Sequence, residues 1–110
     1  MGIYRHDAIV VHYWERGTLA RLREEAKEMG LEVTEIHTNS FGTSSFMVCP
    51  DGSKEGWPDS DRHDAIRREF KDSMETSNIN YEWCHVRFGG DEHNVIGQEL
   101  QCEIVEWSKE

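Results

Sequence analysis

The stretch from Tyr4 to Trp14 limits the fold more than any other part of the chain. Read at the two-residue period of a strand, Ile9, Val11 and Tyr13 fall on one side and Ala8, Val10 and Trp14 on the other. A strand apolar on both faces belongs inside a sheet, with neighbours on either side. The rest of the chain must supply those neighbours. Its 110 residues give room for a single domain, 1–110, around one core.

Two helices can cover such a sheet. Leu19, Leu22, Ala26 and Met29 form one stripe, which predicts a helix over Thr18–Met29 with Thr18 as N-cap and Gly30 as its stop. Ile66, Phe70 and Met74 predict a second over Asp61–Met74, its start crowded by Asp59, Ser60 and Asp61. Further strands are expected at Leu31–Thr38 and Ser45–Cys49, joined as a hairpin across Asn39–Ser44 and ended by Pro50. Two more follow. Tyr81–Phe88 sets Tyr81 and Trp83 against Cys84, Val86 and Phe88, and Glu99–Trp107 alternates Leu100, Cys102 and Ile104 with Glu99, Gln101 and Glu103.

The order β-α-β-β-α-β plus a final strand predicts a ferredoxin-like α+β sandwich with an additional C-terminal strand. Right-handed crossovers would put both helices on one face of an antiparallel sheet. The other face then meets solvent, a partner or a second copy. Tyr13, Trp83 or Trp107 exposed there would argue for a partner.

Chemical motifs are sparse. Six histidines and Cys49, Cys84 and Cys102 show no zinc-like spacing, so no metal and no cofactor is expected. The odd, scattered cysteines read as buried reduced thiols. Ser53 in Asp51-Gly52-Ser53-Lys54 reads as a turn in which Asp51 bonds the following backbone. No phosphate-binding glycine loop is present. Arg-His-Asp-Ala-Ile occurs at 5–9 and again at 62–66, once opening a strand and once in a helix, so it does not mark a duplication. His12, His37 and His85 are the candidate acid–base groups should the chain act on a small molecule.

Charge narrows the partners. The net charge is −10; residues 72–110 hold nine acids against Arg87 and Lys109. Such a field repels phosphate backbones, so no direct nucleic-acid binding is expected, and it favours a basic protein surface. Arg62, Arg67 and Arg68 on the second helix make a local positive stripe, which argues against uniform mimicry of nucleic acid. No apolar run approaches a membrane span, and the first residues lack a basic leader with an apolar stretch. The expected location is cytoplasmic.

Pro50-Asp51-Gly52-Ser53-Lys54-Glu55-Gly56-Trp57 and Trp83-Cys84-His85-Val86-Arg87-Phe88-Gly89-Gly90-Asp91-Glu92 resemble a family of small tailed-bacteriophage proteins, over residues 45–93. That family has no assigned activity, so no catalytic residue carries over. The resemblance implies a setting, the cytoplasm of an infected bacterial cell.

Together these features predict a small acidic binding module for a host or phage protein. Trp57 or Trp107 would serve as anchor, with Asp91, Glu92, Glu103 and Glu106 steering a basic partner. A small enzyme or ligand-binding domain and a structural or assembly component are the alternatives. A homodimer through the open sheet face or an edge strand is a further expectation.

Overall fold

The computed structural model describes residues 5–53, 56–89 and 103–105, with side chains over 6–53 and 56–88. It is an α+β domain: an antiparallel open sheet with two helices among the described residues. The elements are β1 (Arg5–Tyr13), α1 (Arg16–Met29), β2 (His37–Thr38), β3 (Ser44–Val48), α2 (Pro58–Thr76), β4 (Glu82–Gly89) and β5 (Glu103–Val105). Strand order is β2-β3-β1-β4-β5.

β1 lies in the middle, as its two apolar faces require. Val10 pairs with Met47 of β3 and Cys84 of β4. Its odd-numbered residues face the helices. Ile9 and Val11 join Phe46 and Val48, Leu19, Leu22 and Ala26 of α1, and Phe70 and Met74 of α2 in one buried cluster. Both helices therefore cover the same side of the sheet. Burying one such side chain stabilises the fold by about 1.5–3 kcal/mol.

Several expected boundaries move, each for a local reason. α1 begins at Arg16, not Thr18. Glu15 is the N-cap, and its carboxylate accepts from the Thr18 backbone N–H at 3.0 Å and from the Thr18 hydroxyl. Gly30 ends α1 at φ 104°, a left-handed conformation that suits glycine. The second strand shrinks to His37–Thr38. Before it the chain holds β3 by an isolated Val33–Val48 bridge and by Thr34 N donating to the Met47 carbonyl. α2 begins three residues early, because Pro58 at its first position is preset for the helix. Asp59 and Asp61 thus lie inside its first turn. β5 pairs within the chain, Ile104 with Val86. Leu100, Cys102 and the rest of the expected Glu99–Trp107 strand lie outside the described residues.

Cys49 and Cys84 are free and half-buried, where full burial was expected. Cys102 lies outside the described residues. No described helix is long and apolar enough to cross a membrane.

Candidate functional site

The sheet face away from the helices carries the even-numbered side of β1. Register places His6 beside Phe88, Ala8 beside Val86, Val10 between Cys84 and Met47, and His12 between Glu82 and Ser45. His37 extends the last row through Ser45. Tyr13 and Trp83 are not on this face; both pack against the core under the helices. Trp14, next in the alternation, is 67% exposed.

At the same end of the sheet, the turn from β2 to β3 presents Phe41, 92% exposed. The turn is tightly held. Asn39 Oδ1 accepts from Phe41 N at 2.9 Å and Thr43 N at 3.2 Å, the Asn39 carbonyl accepts from Gly42 N, and Asn39 N donates to the Thr43 carbonyl. Gly42 takes φ 88°, which an L side chain would resist.

Beside this turn, His12 Nδ1 lies 2.8 Å from Glu82 Oε1 and Nε2 lies 2.9 Å from Thr43 Oγ1. A carboxylate only accepts, so Nδ1 carries the proton. Asn39 Nδ2 donates to Thr43 Oγ1 at 2.6 Å, which leaves the threonine proton for Nε2. The order hydroxyl, imidazole, carboxylate is that of an activated nucleophile. Yet the N–H groups of Phe41, Gly42 and Thr43 are spent inside the turn, so the turn offers no donors to an oxyanion. What the row does is clamp the hairpin to β1 and β4.

Under α2 lies a second polar cluster, this one buried. Asp7 Oδ1 accepts from His85 Nε2 at 2.8 Å and Arg87 Nε at 2.9 Å, and Arg67 Nη2 is 3.6 Å from Oδ2. Burial pushes the Asp7 carboxyl up, but the His85 hydrogen bond, Arg67 and Arg87 outweigh it and hold it at about 2. His85 Nδ1 is 2.6 Å from Lys71 Nζ. With Nε2–H given to Asp7, Nδ1 is left to accept from the Lys71 Nζ. Burial pushes the Lys71 amine down, and Arg87, Arg67 and Arg68 add to that while Asp7 opposes it.

Arg67 also reaches Asp64 at 2.5 Å and Asp51 at 3.6 Å. Asp51 Oδ2 and Arg67 Nε are buried without a hydrogen-bond partner. His63 Nδ1 stands 3.2 Å from Asp51 Oδ2 but is directed to the Asp59 carbonyl at 2.9 Å. The two Arg-His-Asp-Ala-Ile segments meet here: Asp7 comes from the first, His63 and Asp64 from the second. As expected, Asp51 Oδ1 accepts from Ser53 N at 3.0 Å.

The sequence-derived candidates scatter. Trp57 is the N-cap of α2 and 46% exposed; its carbonyl accepts from Ser60 N and Asp61 N. Glu103 pairs with Arg87 in the β4–β5 register. Asp91, Glu92, Glu106 and Trp107 lie outside the described residues. His12 and His37 share a row with Ser45 between them, and His85 is on the opposite side of the sheet. Arg67 is buried, so the positive stripe on α2 reduces to Arg62 and Arg68. No group of three or more metal-ligating side chains occurs among the described residues. A cleft of about 250 Å³ between α1 and α2 is lined by Arg21, Leu22, Glu25, Ser73, Ile79 and Tyr81. Glu25 accepts from the Ser73 hydroxyl within it.

Trp14 and Phe41 were missed as a pair. Trp14 follows β1 with its ring 5.7 Å from that of Tyr13, and nothing in Asn39-Ser40-Phe41-Gly42 said that the turn would hold a phenyl ring outward. No protein-family model, curated protein or solved structure matches the chain.

Proposed function

We propose that the chain is a non-enzymatic binding module that docks a protein through the end of the sheet bearing Trp14 and Phe41. The strand order, with each helix crossing between strands separated by one neighbour, supports reading the fold as ferredoxin-like with an added edge strand.

One observation carries the reading: Phe41 is 92% exposed on a turn fixed by its own hydrogen bonds, at the same end of the sheet as Trp14 at 67%. Exposing a large apolar side chain gives up transfer free energy, and mobility does not explain it in a turn so tied. A rigid aromatic loses little entropy on binding, which is what an anchor needs. The partner it fits has an apolar pocket framed by basic side chains, because the net charge of −10 steers such a surface inward. A host or phage protein inside an infected cell would meet that description.

The test is capture from nuclease-treated bacterial lysate at low and high salt, with wild type beside a Trp14→Ser/Phe41→Ser double variant. The reading expects one stoichiometric protein, weakened by salt and lost with the double variant. A partner retained by that variant, or no partner at either salt, would overturn it.

A further inference from the structure

The cleft between α1 and α2 holds polar groups that the packing of the helices does not use. Arg21 and Glu25 stand one turn apart on α1, a spacing at which opposite charges ordinarily pair. Here they do not. Glu25 Oε1 accepts from the Ser73 hydroxyl across the cleft at 2.9 Å. Arg21 makes no hydrogen bond or salt bridge with any described residue, and the Tyr81 hydroxyl makes no hydrogen bond with one. The Tyr81 ring is held in place 5.2 Å from that of Tyr13. Both charges act on its hydroxyl. Burial lifts the phenol above its ordinary 10.0, Glu25 and Tyr13 lift it further, and Arg21 opposes them.

The cleft thus offers an uncommitted guanidinium, an uncommitted hydroxyl and the second oxygen of a carboxylate, beside an apolar wall of Leu22 and Ile79. This set selects by sign. A simple anion is drawn to Arg21 but repelled by Glu25 and by the net charge of −10. A simple cation is drawn to Glu25 but meets Arg21. A molecule that carries both signs a short distance apart satisfies both, and being neutral it is untouched by the net charge. At about 250 Å³ the space is smaller than a drug-sized site and admits a molecule of amino-acid size.

We infer that this cleft binds a small zwitterion, an α-amino acid with an aliphatic side chain. Its carboxylate lies on Arg21 and the Tyr81 hydroxyl, its ammonium on Glu25, and its side chain on Leu22 and Ile79. The site goes beyond the docking reading and does not rest on it. Arg21 and Glu25 are exposed, so water screens both contacts and the dissociation constant is about 1 mM.

Amide nitrogen–proton correlation spectra of the full chain test this, titrated with L-leucine, N-acetyl-L-leucine and L-leucine methyl ester at slightly acidic pH. Leucine adds no ionic strength, and each derivative lacks one of its charges. The amides of Leu22, Ile79 and Tyr81 should shift together and saturate with leucine, and either derivative should bind about fivefold more weakly. Arg21→Gln and Glu25→Gln should each weaken leucine about as much, with the rest of the spectrum in place because both side chains are exposed. Arg21→Gln should no longer distinguish leucine from the ester, nor Glu25→Gln from the N-acetyl form. No saturable shift up to about 20 mM leucine would overturn the inference. So would derivatives that bind as well as leucine, or leucine binding undiminished in both variants.

Discussion

Asp7 and His85 lie 78 positions apart in the chain and meet at 2.8 Å beneath α2. Their contact joins the middle strand to β4 on the helix side of the sheet. Arg67, reaching Asp7 from α2, ties the helix to the same point. Setting His63 aside, the cluster balances. Asp7, Asp51 and Asp64 face Arg67, Arg87 and Lys71, which reaches Asp7 through His85. Balance matters because charges taken out of water are costly unless each finds its opposite.

Removing one member should therefore cost more than the contact itself is worth. Asp7→Asn leaves Arg67 and Arg87 short of a counter-charge, and breaking a buried pair in this way costs about 3–5 kcal/mol. Urea unfolding should show a lower midpoint at an unchanged slope. A loss below about 1 kcal/mol would mean that the cluster is wetter than its burial implies.

The same groups set the pH dependence. The Asp7 carboxyl is held at about 2 when folded, against an ordinary 3.8. Its contribution is complete above 3.8 and is lost as pH falls through that interval, where the unfolded chain binds the extra proton. Lys71 is also depressed, from 10.5, chiefly by burial, with Arg87, Arg67 and Arg68 against it and Asp7 for it. The unfolded chain holds its amine proton more tightly, so stability rises with pH from the folded Lys71 value toward 10.5. Lys71→Met should flatten that alkaline rise and leave the acid limb in place. Chemical denaturation across the pH range separates the two.

Gly30 tests a backbone argument in isolation. Its φ of 104° disfavours any L side chain, yet a Cβ there would meet only Ile66 Cδ1 at 3.9 Å, an ordinary contact. Gly30→Ala should cost about 1 kcal/mol through conformation alone. In a domain of this size that lowers the melting temperature by roughly 4–6 °C. A larger drop would point to a clash that the geometry does not contain.

These results also show where the chain could be read directly and where it could not. The double-faced apolar pattern of Tyr4–Trp14 put β1 in the middle, and the Leu19/Leu22/Ala26 stripe found the buried side of α1, because periodicity is local. The Asp7–His85–Lys71 cluster was hidden, since it needs β1, α2 and β4 in a definite register. Arg67 read as surface for the same reason: only its tertiary partners justify burying a guanidinium. Trp57 stood out as a tryptophan in a polar loop, but Pro58 draws it to the head of α2. The exposure of Phe41 was invisible because it depends on how Asn39 folds back on the turn.

That turn supplies the last prediction. Asn39 Oδ1 accepts the Phe41 and Thr43 amides, and Nδ2 fixes the Thr43 hydroxyl that His12 holds. Asn39→Ala removes all three contacts and leaves Phe41 in place. Each exposed hydrogen bond contributes about 0.5–1.5 kcal/mol at most, so the global fold should lose only about 1 kcal/mol. The turn itself should loosen, and amide exchange at Phe41 and Thr43 should accelerate well beyond that of the β1 core. If Phe41 anchors a partner, the variant must then order the turn on binding, and its affinity should fall several-fold although the anchoring ring is unchanged. Faster exchange with undiminished capture would assign the Asn39 lock to folding alone and take the preorganised anchor out of the binding argument.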